Sequence, residues 1–301
     1  MALPPLHSFR VFECVARLGN IAAAAVELHV TTGAISQQLR VLQSGLGKEL
    51  FEKQGRRLVL TDNGRLLQHR VANAICEIQD GVRQLSSEHQ GERQKIELTL
   101  SIPSVHGVTW LATRLFAFMD ENPHIKLNVI TASYFNTVDW RRADLAVIYG
   151  VPPWPGFWWR LLHGIRMTPV CSPQLLRGPK AIRSVSDLAH YRLLHEDDGA
   201  QWRRWLSEAR FGQSSDSDIY FDDFGMVLQA ARDGYGVALS DEVVSARDLD
   251  EGRLVQPLAL AVPALQNYYC VCSEGNRDRE EVSNFIEWLI AQSRLPVTPQ
   301  V

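Results

Sequence analysis

The sequence predicts an α/β protein with an all-α-rich head, that is, a small helical N-terminal unit followed by a larger α/β body. Three observations predict it. The length of 301 residues exceeds that of a usual single domain. Charge is divided: residues 1–70 carry nine basic against five acidic side chains, whereas the remainder carries 22 basic against 29 acidic ones. Apolar residues recur at helical spacing up to about residue 90, and from there strand-like alternation takes turns with helical stretches. A hydrophobic content of 46% with 22% charged residues is the balance of a globular chain and excludes a disordered one. No apolar run is long enough for a bilayer and no basic-then-apolar leader opens the chain, so no membrane partner and a cytoplasmic location are expected. Five scattered cysteines are not a disulfide framework and fit the same reducing compartment.

In the head, Leu6, Phe9, Phe12 and Ala16 mark one face of a helix ending near Gly19. Asn20 caps a short alanine-rich helix over 21–28, and Thr31 caps a third over 32–46. In that third helix Ile35, Leu39, Leu42 and Leu46 share one face, with Gly33, Ser36, Gln37 and Arg40 opposite. Two short helices around a tight turn, the second polar outside, describe a helix-turn-helix. Residues 50–60 read as two short strands around a Gln-Gly-Arg turn, a basic wing. The candidate DNA-binding residues are therefore Thr31, Thr32, Gly33, Ser36, Gln37 and Arg40 on the helix and Lys53, Arg56 and Arg57 on the wing. From Thr61 to about residue 90, Leu67, Val71, Ala74, Ile78 and Leu85 follow a heptad seam broken only at Gly81, which predicts a long dimerising helix.

These residues carry a resemblance. Asn20-Ile21, the run from Ala24 to Thr31, Ala34-Ile35-Ser36-Gln37-Gln38-Leu39, Leu46-Gly47, Leu50-Phe51 and Leu60-Thr61-Asp62-Asn63-Gly64 are similar to LysR-type transcriptional regulators over about the first 65 residues. The resemblance implies a winged helix-turn-helix at 1–60, a linker helix at 61–91 and an effector-binding body at 92–301. It implies double-stranded promoter DNA, a small-molecule effector and a second copy of the chain as partners, with homodimers paired into homotetramers, and RNA polymerase if the protein activates. The head departs from the family pattern at Gly33, where proline is common, at Ala22 and Ala23, and at Gln37 and Gln54, where arginine is frequent. Each departure removes a phosphate or base contact, which predicts weaker binding or altered preference.

In the body, residues 96–102 alternate as a strand and lead through Pro103-Ser104 into a helix over 105–121. Strands follow at 125–130 and 145–149, with strand-like runs at 167–171 and 191–195. A helix over 223–233 runs through Gly234 into Gly236-Val237-Ala238-Leu239, and the chain returns with a strand at 268–272 and a helix at 280–291. A mainly parallel sheet is expected.

The resemblance extends here through Trp110-Leu111, Asp144-Leu145-Ala146-Val147, Trp154-Pro155-Gly156, Pro169-Val170-Cys171-Ser172-Pro173, Trp202, Trp205 and Ala230-Ala231 with Gly234-Tyr235-Gly236. It points to the family branch containing the glycine-cleavage activator and the β-lactamase regulator. The fold implied is that of type 2 periplasmic binding proteins, with subdomain I at about 92–165 and 264–301, subdomain II at about 166–263, and a cleft between them. Ser104 at a helix start offers a seat for a carboxylate. Thr131, Ser133 and Tyr149 follow strand ends, where open sheets place ligands, while Asp222 and Asp223 open a helix and suit an ammonium or hydroxyl group. Tyr268 joins them because a tyrosine there faces ligand in the β-lactamase regulator's pattern. An acidic or amino-acid-like effector is expected.

Other chemistries find less support. His195-Glu196-Asp197-Asp198 has metal-binding residue types at consecutive spacing and reads as a solvated loop. Cys270 and Cys272 share a strand face without the second ligand pair that zinc requires. Trp154, Trp158 and Trp159 read as packing between subdomains. No phosphate loop, nucleophile elbow or acid–base pair marks an enzyme, so no catalytic residue, metal or cofactor is expected. The alternative function is a ligand-binding sensor whose head has weakened or lost DNA recognition, motivated by the alanine-rich second helix and the missing arginines.

Overall fold

The computed structural model describes residues 3–54, 57–87, 96–177, 179–212 and 218–294. The head opens with α1 (Leu6–Leu18), closed by Gly19 at a φ of 63°, the left-handed turn a residue without Cβ adopts freely. α2 (Ile21–Glu27) starts where the Asn20 side chain accepts from the amides of Ala22 and Ala23. α3 (Thr32–Leu46) starts where the Thr31 hydroxyl accepts from Ala34 at 3.2 Å. The three helices close on Val11, Phe12 and Val15 of α1, Ala24 and Ala25 of α2, and Ile35, Leu39 and Leu42 of α3. Leu6, expected on that face, is exposed, and buried Ser8 instead donates to Gln38 of α3 at 2.8 Å. β1 (Phe51–Gln54) and β2 (Arg57–Leu60) pair antiparallel with Gln54 opposite Arg57, giving the expected wing.

The long helix α4 (Asp62–Ser87) has 26 residues, ~39 Å at 1.5 Å per residue. It is seated on the wing by Thr61, whose hydroxyl donates to the Glu49 carbonyl at 2.8 Å and accepts from Gly64 at 3.1 Å. Gly64 is required there: a Cβ would stand 2.1 Å from the Leu50 carbonyl oxygen. The predicted seam is not used as one surface. Val71 is buried in the head core with Leu67 and Ile75 packed partly against it, while Ala74 and Ile78 remain exposed, as does Val82.

The body begins with β3 (Ile96–Ile102), from which α5 (Ser104–His106), a π-turn over Gly107–Leu111 and α6 (Ala112–Glu121) run on without a break. There follow β4 (Ile125–Thr131), β5 (Leu145–Gly150), β6 (Phe157–His163), β7 (Arg166–Val170), β8 (Leu193–His195), α7 (Ala200–Glu208), β9 (Ile219–Tyr220), α8 (Phe224–Arg232), β10 (Val237–Ser240), α9 (Ala246–Asp250), β11 (Val262–Pro263), β12 (Asn267–Ser273), α10 (Glu274–Arg277) and α11 (Glu280–Ser293). They form two five-stranded sheets, ordered β4-β3-β5-β12-β6 and β11-β7-β10-β8-β9. Both are mixed, which corrects the expectation of a mainly parallel sheet. β12 returns antiparallel between β5 and β6, and β7 runs antiparallel to β10 and β11. The chain crosses between the sheets at 163–166 and again at 263–267, where the Ile165 amide donates to Asn267 at 2.9 Å and ties the two crossings together.

The tryptophans also depart from expectation. Trp154 packs with Phe135, Phe157, Val138 and Ile148 in a small core of its own, its ring 5.7 Å from that of Phe135. Trp158 lies under the Arg277 guanidinium at 5.1 Å, and Trp159 is 40% exposed. None of them lines the space between the sheets among the described residues. Among the described residues, no helix is long and apolar enough to cross a membrane.

Candidate functional site

Two regions collect the residues singled out by the sequence. On the head, Thr32, Gly33, Gln37 and Arg40 are exposed along the side of α3 facing away from Ile35 and Leu39. Thr31 spends its hydroxyl on the helix cap, and half-buried Ser36 donates to the Thr32 carbonyl at 2.9 Å. Both are thus committed to shaping the helix start, leaving Gln37 and Arg40 as the long outward side chains. An amide and a guanidinium at this place match base edges in a major groove. Arg56 lies outside the described residues, as do the side chains of Lys53, Arg57 and Leu85.

The head also touches the body. Glu27 of α2 receives Arg17 at 2.5 Å and Arg141 of the body at 2.8 Å. The hydrogen bond from Arg17, with Arg141 beside it, holds the Glu27 carboxyl down at about 2. A groove of about 570 Å³ runs beside this junction, between Gln68, Ala72 and Ile75 of α4 and Phe135, Asp139 and Trp140 of the body.

The second region is a cleft between the two sheets, with two lobes of about 570 and 540 Å³ that share Tyr134, Tyr149, Met167, Glu196 and Phe224. Six of the seven predicted residues, Ser104, Ser133, Tyr149, Asp222, Asp223 and Tyr268, line the first lobe. The topology explains the convergence. β5 and β12 pair with Tyr149 directly opposite Tyr268, which sets their rings 5.2 Å apart. Ser104 begins the helix after β3, and Asp223 caps α8 by accepting from Met226 at 3.1 Å, so the starts of two helices meet at this lobe. Thr131 is the exception: it ends β4 opposite Ile102, exposed, and does not line the cleft.

Sequence reasoning missed four residues of this cleft. His195 is buried at the end of β8, its Nε2 3.2 Å from Asp218, and Glu196 lines both lobes, so the stretch expected as a solvated loop is the cleft wall, with only Asp198 of the four exposed. Asp241, after β10, is buried; it accepts from the amides of Val243 and Val244 at 2.8 and 2.9 Å and from the Tyr268 hydroxyl. His106 is fully buried, 4.4 Å from the Tyr268 ring, and neither ring nitrogen has a hydrogen-bond partner among the described residues. A carboxyl in the loop after a strand was the available signal for Glu196 and Asp241; nothing in periodicity marked His106.

The electrostatics of the cleft follow from burial beside like charges. Burial, then Asp197, Asp223 and Asp241, push the Glu196 carboxyl up to about 7. Burial likewise raises Asp241 to about 6 against its two amide hydrogen bonds. Burial lowers His106 well below the usual histidine range, so it is neutral and has one nitrogen free to accept. Among the described residues the cleft lining holds five carboxyl groups, Glu196, Asp197, Asp222, Asp223 and Asp241, and no lysine or arginine. Among the described residues no group of three His, Cys, Asp or Glu side chains is arranged to hold a metal ion. Cys270 and Cys272 are buried free thiols on the inner strand β12, and burial raises both.

Comparison with known proteins identifies the two parts of the chain. Residues 6–65 match the family described as bacterial regulatory helix-turn-helix protein, lysR family, and residues 91–294 match the LysR substrate binding domain. The chain is 31% identical to the glycine cleavage system transcriptional activator of Escherichia coli (strain K12), over 97% of this chain and 94% of that protein. It is 29% identical to the HTH-type transcriptional regulator BlaA of Proteus vulgaris over 96% of each. Among solved structures, the effector domain of the transcriptional regulator AmpR of Pseudomonas aeruginosa superposes with a TM-score of 0.59 at 26% identity, covering 66% of this chain and 95% of that one. ArgP from Mycobacterium tuberculosis shares the fold of the whole chain, with a TM-score of 0.64 at 20% identity over 99% of this chain and 100% of that one.

Proposed function

The chain belongs to the LysR family of DNA-binding transcriptional regulators, and from that premise we propose that it reads an operator with α3, holds the backbone with the wing, and answers a metabolite bound between its two sheets. The observation that carries the reading is the coexistence, in one chain matched over 97% of its length, of an outward polar strip on α3 and a lined cleft in the body. Thr32, Gln37 and Arg40 face bases, with Thr31, Gly33 and Ser36 shaping the start of the helix and Lys53, Arg56 and Arg57 on phosphates or the minor groove. The exposed part of the α4 seam, Ala74 and Ile78 with Leu85 beyond them, joins two chains, and pairs of such dimers make the tetramer.

The body divides at its two crossings into the proposed subdomains, 92–165 with 264–301 and 166–263, which close over the ligand. Of the two effector chemistries expected, an amino-acid-like molecule fits the lining, with its carboxylate at the helix start beside Ser104 and its ammonium among the carboxyl groups. A purely acidic effector meets five carboxyl groups and, among the described residues, no lysine or arginine. Ligand binding shifts the population between two arrangements of the paired heads on promoter DNA, in the cytoplasm, and RNA polymerase is the further partner if the shift activates.

Gln37→Ala and Arg57→Ala separate the two roles of the head. In salt-titrated fluorescence anisotropy, Gln37→Ala is expected to change which sequence is preferred at little cost to binding of random DNA. Arg57→Ala weakens binding to every sequence and lowers the salt slope by roughly one. Equal losses for both variants on specific and random DNA contradict this division.

A further inference from the structure

We propose that the ligand of the cleft is an organic cation whose ammonium group sits between Glu196, Asp241 and Asp223, against the rings of Tyr149 and Tyr268, and that its binding expels a proton. The proposal rests on reading the cleft as the effector site. The lining carries its carboxyl groups from three separate elements, the end of β8, the start of α8 and the loop after β10, so their convergence comes from tertiary structure and not from one acidic run. Among the described residues no lysine or arginine of the lining offsets them. A second feature points the same way. His106 lies fully buried in the wall of the same lobe with both ring nitrogens unpartnered among the described residues, and as a neutral imidazole it offers an acceptor to an incoming N–H. A buried polar group left without a partner costs stability, which a donor on the ligand would recover.

The aromatic rings argue for an organic cation over a metal ion. The rings of Tyr149 and Tyr268, their centres 5.2 Å apart, line the same lobe as Phe224, and an aromatic lining suits an alkylammonium better than a metal ion. Protons enter because burial among like charges holds the Glu196 carboxyl up to about 7, where it is partly protonated near neutral pH. Glu196 faces Asp197, Asp223 and Asp241, with Tyr134 and Tyr149 nearby, and rises to about 7. Asp241 faces Glu242 and Tyr268. A cation placed among them favours the ionised form, so Glu196 releases its proton to solvent as the ammonium arrives.

The test uses the full-length protein and three probes on one four-carbon skeleton: 1,4-diaminobutane, 4-aminobutyrate and succinate. Isothermal titration calorimetry near neutral pH, in two buffers of different ionisation enthalpy, reads affinity and proton count together. The expected result is binding of both amines with release of part of a proton, and none of succinate. Glu196→Gln, which keeps the shape, weakens the amines about tenfold or more and removes that proton. Val105→Trp, which fills the first lobe, serves as the control for place. Succinate binding that Val105→Trp abolishes would keep the effector cleft and overturn its cationic preference. Amine binding indifferent to both variants would place the ligand elsewhere and overturn the cleft reading as well. Absence of binding by all three at about 10 mM, or amine binding without proton release, overturns the proposal.

Discussion

A carboxylic acid that must lose its proton to meet a cation makes binding depend on pH, and Glu196 sets the range. Its folded value of about 7 stands above the ordinary 4.5, so between those values the empty folded protein holds a proton that the unfolded chain gives up. Stability of the empty protein from this group is therefore present below the ordinary value and lost as pH rises toward 7. The ligand-bound form shows the opposite trend: amine affinity is expected to climb by up to about tenfold per pH unit below 7 and to level off above it. Asp241, at about 6, steepens the acid side, and calorimetric titration across that range checks the slope. At Gly64 the constraint is steric. Gly64→Ala drives a Cβ into the Leu50 carbonyl, and thermal unfolding of the head is expected to show a loss of about 1–3 kcal/mol. Ser104, Tyr149 and Asp223 were legible in the sequence because they sit where a strand ends or a helix begins. Glu196 and Asp241 were not. Consecutive acids look solvated until the fold shows that His195 is buried and Glu196 faces inward.

At the scale of elements, the head was read nearly to the residue, since its caps are local chemistry: Asn20, Thr31 and the left-handed Gly19 and Gly47 each act on their own helix end. The seam of α4 was read as one surface, and the fold divides it because the first turns of the helix must also close the head core. Ile78 is 62% exposed on the remaining half. Ile78→Glu is expected to weaken self-association at least about tenfold by placing a charge in the proposed dimer seam, with helicity unchanged. Sedimentation velocity beside circular dichroism reads both. β6 was missed because Phe157-Trp158-Trp159-Arg160-Leu161-Leu162-His163 does not alternate: it is an edge strand whose sides are covered by different partners, Arg277 above Trp158 and a separate small core around Phe157. α7 carries Trp202, Trp205 and Leu206 at helical spacing, and all three are buried.

Across the whole molecule, the α/β alternation announced a body with a cleft, while its mixed sheets came from pairings between residues distant in sequence, more than a hundred positions in the first sheet, as for Tyr268 with Tyr149, which no local pattern records. The head and body meet through Glu27, which accepts from Arg17 and Arg141 at once. Because this carboxyl is held at about 2, its contribution to the junction is full above its ordinary 4.5 and fades as pH falls toward 2. Small-angle scattering is expected to show the head loosening over that acid range, and Glu27→Gln to remove the dependence.

The central claim is that the state of the cleft governs how the head holds DNA, and a lock across the cleft tests it without any ligand. Val105 of α5 and Gly225 of α8 face one another: a Cβ at Gly225 stands 3.4 Å from a Val105 methyl and 2.8 Å from Asp223 Oδ1, so cysteines at both positions come within reach of a disulfide once the Asp223 side chain gives way. Footprinting of the Val105→Cys/Gly225→Cys protein, with Cys76 replaced by serine, on its own upstream intergenic DNA compares oxidised and reduced samples of one preparation. The same protected half-site is expected in both samples, with the flanking protection or the DNA bend changed by the lock. Identical footprints from locked and unlocked protein would contradict the claim.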